Sequence, residues 1–186
     1  ENNIKIFRGD QNNKIRRWYG CFIKHKLDAA LLVDGDDLLY DYDIGKRALD
    51  QLINDKLELM ESPDNIVCGF FTYAITKAGI AKLYSSGRVF KDTDVITEFV
   101  NLSGIKKGFV KLEDWEKDKQ LRLTLDYTED LEMFRASFLK MDYLSDGKKV
   151  VDFYLKNPTI STINFFKQQD FLANKQKFNK EIRDTL

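Results

Sequence analysis

Five apolar side chains, Ile15, Trp18, Tyr19, Phe22 and Ile23, recur at i, i+3, i+4, i+7 and i+8 and predict a helix with one inward face. Arg16, Arg17, Lys24 and Lys26 fall mostly off that stripe. The period then vanishes. Ala29-Ala30-Leu31-Leu32-Val33 is a continuous apolar run, which predicts a strand buried on both faces, and it stops abruptly at Asp34-Gly35-Asp36-Asp37. A second helical period follows Tyr42-Asp43, with Ala48, Leu49, Leu52 and Ile53 inward. Ser62-Pro63-Asp64-Asn65 is a turn cluster, and residues 66–68 and 70–75 predict strands interrupted at Gly69. Ahead of all of these, Ile4-Lys5-Ile6-Phe7 predicts a short strand ending at Arg8-Gly9.

The second half continues the alternation. A helix is expected over 76–85 with Thr76 as its N-cap, and another from Asp92-Thr93-Asp94 through Ile96, Phe99 and Val100. Residues 108–112 and 121–125 predict strands separated by a charged loop. Thr128 is placed to cap a helix whose first turn carries Glu129 and Asp130, where the helix dipole favours negative charge. Leu131, Phe134, Phe138 and Met141 form its inward stripe. Beyond it the pattern is helical, through Val150, Val151, Phe153, Tyr154 and Leu155, past Asn157-Pro158, and into a polar helix from Lys167. Strands alternating with helices predict an α/β layered fold, and no internal repeat interrupts it.

Composition narrows the function classes. A chain of 186 residues with 14 Phe and 8 Tyr can build one substantial core. Lys plus Arg equals Asp plus Glu at 30 each, without the basic excess of a nucleic-acid binder. Cys21 and Cys68 stand in no metal-ligand spacing and are read as small packing residues. There is no apolar run of the roughly 18 residues that would suggest a membrane span. A charged-then-apolar leader is also lacking, so a cytoplasmic setting is expected.

Candidate chemistry lies at two acidic turns, each following an apolar strand pattern. The first is Asp34-Gly35-Asp36-Asp37; the second is Asp126, after Leu121-Arg122-Leu123-Thr124-Leu125. Ligands of open α/β sheets gather outside the carboxyl ends of strands. Carboxylates delivered there suit Mg²⁺, which takes one or two of them together with phosphate oxygens. Gly35 is expected to allow a sharp turn and leave room for a phosphate. Asp-rich turns are also common solely because these residues suit turn backbones.

The order of these pieces resembles a known family. Ile4-Lys5-Ile6-Phe7-Arg8-Gly9, a helix carrying Arg17-Trp18, and Asp28-Ala29-Ala30-Leu31-Leu32-Val33-Asp34-Gly35-Asp36 are similar to the middle of the cytidylyltransferases that make CMP-activated acidic sugars. The spore-coat-polysaccharide branch is the nearest likeness. Arg122-Leu123-Thr124-Leu125-Asp126-Tyr127-Thr128-Glu129-Asp130-Leu131-Glu132 resembles that family's second signature, and 157–164 resembles the branch's C-terminal extension. The resemblance implies a three-layer α/β/α fold of the nucleotide-diphospho-sugar-transferase (GT-A) type, with a mixed, mostly parallel sheet. It implies a nucleotidyltransferase domain over 1–144 and a helical extension over 145–186. It also implies transfer of CMP from CTP to an acidic sugar or sugar phosphate with release of pyrophosphate, for surface polysaccharide synthesis. Mg²⁺ would sit on Asp36 and Asp126, with Arg8, Arg17, Asp34 and Gly35 binding substrate, and no side-chain nucleophile would be needed. The lone His25 is read as uninvolved. A homodimer is the implied assembly, with no nucleic-acid or membrane partner.

The chain also departs from the family pattern. Leu38 stands where the family usually has proline, and 62–75 lacks the glutamate that acidic-sugar enzymes place near the sugar. The family opens with a strand and a glycine-rich nucleotide loop that no stretch of these 186 residues is expected to supply, and Gly45-Lys46-Arg47, inside a helical pattern, does not replace them. Because those strands sit mid-sheet in this fold, the 186 residues alone are expected to expose strand edges and aggregate. The competing readings are a non-catalytic binding module, a plain assembly subunit and a GT-A glycosyltransferase.

Overall fold

The computed structural model describes residues 4–87, 92–93 and 95–185. Among the described residues four short strands form one sheet: β1 (Ala29–Leu32), β2 (Leu59–Glu61), β3 (Tyr73–Thr76) and β4 (Lys107–Phe109), in the order β1-β3-β2-β4. Eight α-helices accompany them among the described residues: α1 (Lys14–His25), α2 (Tyr42–Asn54), α3 (Lys77–Gly87), α4 (Thr97–Leu102), α5 (Thr128–Phe138), α6 (Gly147–Lys156), α7 (Pro158–Ser161) and α8 (Lys167–Thr185).

Strict alternation along the strands sorts the core into two clusters. Ala29, Leu31, Met60 and Ala74 face one side, against Ile44, Ala48 and Leu52 of α2 and Val150, Val151 and Tyr154 of α6. Ala30, Leu32, Leu59 and Ile75 face the other, against Ile15 and Phe22 of α1, Ile80 and Leu83 of α3, and Phe99 of α4. The sheet is therefore sandwiched between helices, the layering expected of the α/β pattern. The boundary drawn at 144/145 falls between α5 and α6, and α6 shares its core with α2.

The expectation of a mostly parallel sheet is overturned. β1–β3 and β2–β3 pair antiparallel, and only β2–β4 is parallel. The registers make β1, β2 and β4 run the same way, with β3 inserted between the first two in the opposite sense. A short return through the 62–72 turn region places β3 beside β2, and such short links allow only antiparallel pairing. The longer passage through α3 and α4 returns β4 parallel to β2. The run at 29–32 is apolar on both faces, but it forms an edge strand and stays half-buried, and Val33 is 51% exposed.

Other expectations fail for want of a strand partner. Residues 4–7 form no strand, and Ile4 and Ile6 are exposed, while Phe7 closes over Gly9 and Gly20. The pattern at 121–125 yields a single bridge, Cys68 to Arg122, rather than a ladder. Gly69 (φ +94°) lets the chain meet it there: a Cβ on Gly69 would lie 2.2 Å from the Leu123 carbonyl oxygen, so a side chain cannot be accommodated. β2 was not legible at all, three residues being too few to show a period.

Helix starts follow local chemistry. Asn13 caps α1 by accepting from Arg16 N (2.7 Å), and Thr76 Oγ1 caps α3 by accepting from Gly79 N (3.1 Å). Asp41 caps α2 through Ile44 N (2.8 Å), and its second oxygen accepts from Gly147 N (3.0 Å), tying α2 to α6. Thr128 is not the cap of α5: Tyr127 occupies that position, and Asp130 reaches back to its N–H (2.9 Å). Thr93 does not open α4; its hydroxyl accepts from Ile15 N (3.1 Å), while Asp94 lies outside the described residues. Ile23 and Ile53, predicted inward, point to solvent. No helix among the described residues is long and apolar enough to cross a membrane.

Candidate active site

Because β1, β2 and β4 point the same way, their carboxyl ends open onto one cleft of about 860 Å³. Its wall includes the acidic turn after β1, the turn after β2, residues 124–126, and one face of α8. The acidic turn is held by its own backbone, Asp37 N donating to Asp34 O (3.2 Å) and Tyr40 N to Asp37 O (3.2 Å). It presents Asp34, Asp36 and Asp37 with one carboxylate oxygen each, all within 4.8 Å of one another. Three hard oxygen donors so close suit a divalent cation of the Mg²⁺ or Ca²⁺ kind.

Electrostatics agree with that crowding. Burial raises the Asp36 carboxyl above its ordinary range, and the charges of Asp34 and Asp126 push it further the same way. Asp37 is pushed up to about 6, by burial first and by Asp36 second, although the hydroxyl of Thr72 donates to it at 3.1 Å. Asp34 is paired with Lys14 Nζ at 2.8 Å. Clustered carboxylates that repel one another are relieved by a bound cation.

A pH prediction arises here. An acid whose folded pKa is raised favours the folded state below its unfolded pKa, and that contribution is lost as pH rises through the folded value. For Asp37 the loss falls between about pH 4 and 6. In chelator-treated protein, Asp37→Asn is therefore expected to gain about 1–2 kcal/mol over wild type between those pH values, solvent screening included. Urea midpoints measured from pH 4 to 8 check this; a constant difference would contradict it.

The second acidic turn meets the first. Leu125 N donates to Asp36 O at 3.0 Å, so Asp126 follows directly on a backbone bond to the first turn, and both aspartates line the same cleft. Asp126 is anchored from behind by the guanidinium of Arg122. Arg122 itself is buried and paired with the fully buried Asp130, Nε to Oδ1 at 3.1 Å and Nη2 to Oδ2 at 3.2 Å. Asp130 also accepts from the backbone N–H groups of Asp126 (2.8 Å) and Tyr127 (2.9 Å).

The remaining candidates divide. Arg17 lines the cleft while its Nη1 donates to the carbonyls of Asp10 (2.7 Å) and Gln11 (2.8 Å). Arg8 is exposed and does not line the cleft. Gly35 adopts no left-handed backbone, and no heavy atom lies within 4 Å of where its Cβ would be, so it contributes open space rather than a forced turn. His25 ends α1 against the Phe7 ring, outside the cleft lining. Cys68 is a packing thiol, pushed up to about 12 by burial.

An overlay on solved structures gives this geometry a context. A cytidylyltransferase from Leptospira borgpetersenii serovar Hardjo-bovis matches with a TM-score of 0.75 at 21% identity, over 86% of this chain and 69% of that one. The fold is similar to that of this cytidylyltransferase. In sequence, the chain is 21% identical over 164 residues to a Methanocaldococcus jannaschii protein described as uncharacterized, covering 87% of this chain and 67% of that protein. No protein-family model matches. The cleft adds Thr72, Gln168 and Phe171, which carry no signal in the sequence pattern, and it brings in Asp37, which the pattern places in the acidic turn without a ligand role. Arg122 was passed over as well, although its spacing to Asp126 and Asp130, at i+4 and i+8, was a usable signal of paired charge.

Proposed function

We propose that the chain carries the catalytic cleft of a Mg²⁺-dependent nucleotidyltransferase that moves CMP from CTP to an oxygen of an acidic sugar or sugar phosphate, releasing pyrophosphate. The observation that carries this reading is the meeting of two acidic turns at the strand ends of a cytidylyltransferase fold, one of them bearing three clustered carboxylates. Asp36 and Asp126, with Asp34 and Asp37 beside Asp36, would hold the cation. When bound, Mg²⁺ would neutralise charge building on the phosphate oxygens.

The protein's own part is positioning. Lys14, Arg17, Lys107 and Lys175 reach the same cleft and supply positive charge for a polyphosphate, while the Asp34–Lys14 pair holds the acidic turn against α1. Acidic and basic side chains lining one cleft would orient the α-phosphate for in-line attack by the sugar oxygen, the entropic share of such a reaction. The proton of the attacking hydroxyl leaves through solvent in this open cleft or to a carboxylate of the acidic turn. A role in surface polysaccharide synthesis, a cytoplasmic setting, a dimeric assembly and the spore-coat branch of the GT-A class belong to the same reading.

The test is pyrophosphate release from CTP and Mg²⁺ over a panel of acidic sugars, neutral sugars and sugar phosphates. Release with at least one acceptor, dependent on CTP, is the expected result. Binding of CTP by calorimetry without release from any acceptor would favour the non-catalytic binding module. Absence of both would overturn the reading.

A further inference from the structure

The wall behind Asp126 is built more elaborately than a turn requires. The Arg122 guanidinium is buried between the rings of Tyr127 (5.2 Å) and Phe171 (5.1 Å). Its Nη1 donates to Gln168 Oε1 at 3.1 Å, its Nε and Nη2 to Asp130, and its Nη2 also to Asp126 Oδ2. Among the described residues nothing donates to Asp126 Oδ1, and that side chain is 31% exposed at the cleft. One guanidinium thus faces two carboxylates, so one negative charge remains for a ligand in the cleft. Two of its contacts, Gln168 and Phe171, come from α8, more than 40 residues downstream.

We infer that Arg122 is the positioning residue of the cation site: it takes one oxygen of Asp126, holds the other toward the cleft, and makes that placement depend on the docking of α8. This rests on the proposed nucleotidyltransferase reading. Planar, bidentate-capable arginine suits the task because its donors lie in a fixed fork, whereas a lysine ammonium is a point charge without that geometry. Outer residues that orient metal ligands typically change metal affinity about 10–100-fold when replaced.

The test is Mn²⁺ affinity of the full chain, in the presence of CTP, by calorimetry and by the electron paramagnetic resonance signal of free Mn²⁺. Arg122→Lys, which keeps the charge, is expected to weaken Mn²⁺ binding about tenfold. Gln168→Leu leaves the Arg122–Asp130 pair in place and keeps the test valid should Arg122→Lys fold poorly; a loss of about threefold is expected. Both losses should vanish in an Asp126→Asn background, because positioning of an absent ligand has no value, whereas a general structural defect would add to it. Additive losses, unchanged affinity in the folded variants, or tighter binding would overturn the inference, the last by showing that Arg122 competes with the cation. If wild type binds Mn²⁺ normally while these outcomes occur, the parent reading stands and only the role of Arg122 falls. If wild type binds no Mn²⁺, both fall.

Discussion

Asp36→Asn is expected to lower pyrophosphate release about a thousandfold while leaving the thermal transition within a few degrees of wild type. The carboxylate sits in a cluster whose oxygens lie within 4.8 Å of one another, and its pKa is raised by burial first and by neighbouring carboxylates second, so removing one negative charge relieves the folded protein while weakening cation binding. Loss of a charge-neutralising contact worth about 4 kcal/mol in the transition state corresponds to three powers of ten in rate. Asp126→Asn should act in the same direction. Raised Mg²⁺ concentration should partly restore the Asp36→Asn rate. Unchanged turnover in both variants would remove the acidic turns from the chemistry.

The second large effect concerns stability. Asp130→Ala is expected to destabilise the protein by about 3–5 kcal/mol, because it leaves the buried Arg122 guanidinium without its partner. It also strips the first turn of α5 of an acceptor for two backbone N–H groups and for Asn164 Nδ2 (2.8 Å). For a domain of this size that is a fall in Tm of roughly 10 °C. Burial alone would raise the Asp130 carboxyl, but Arg122 and the backbone donors more than reverse this and hold it below the usual carboxylate range. A depressed folded pKa gives stability that is present above the unfolded pKa and lost as pH falls through the folded value. The gap between wild type and Asp130→Ala should accordingly narrow on acidification, and denaturant midpoints at pH 7 and pH 3 measure it. A gap unchanged by pH would mean that the ion pair contributes nothing.

Asp126 and Asp130 stand four residues apart and play different parts. In the sequence they form one acidic signature; in the structure Asp126 lines the cleft and Asp130 is sealed away as the counter-ion of Arg122. The distinction is a matter of burial, and Asn164, more than 30 residues downstream, helps to seal Asp130 by donating to it and to the Arg122 carbonyl.

Local pattern alone determined where α1, α2, α3 and α5 run, that Thr76 caps a helix, that an apolar strand ends in a carboxylate turn, and that the fold layers helices on a sheet. Each of these depends on side-chain period or on hydrogen bonds spanning three or four residues, which short-range order encodes. Tertiary structure decided the rest: the insertion of β3 between β1 and β2, the edge position of β1, the reduction of 121–125 to one bridge, and the joining of Asp36 to the Asp126 turn through a single backbone bond. Those outcomes depend on which distant segment supplies a partner for an unpaired N–H, carbonyl or charge, and the residues concerned are the same whether that partner arrives or not.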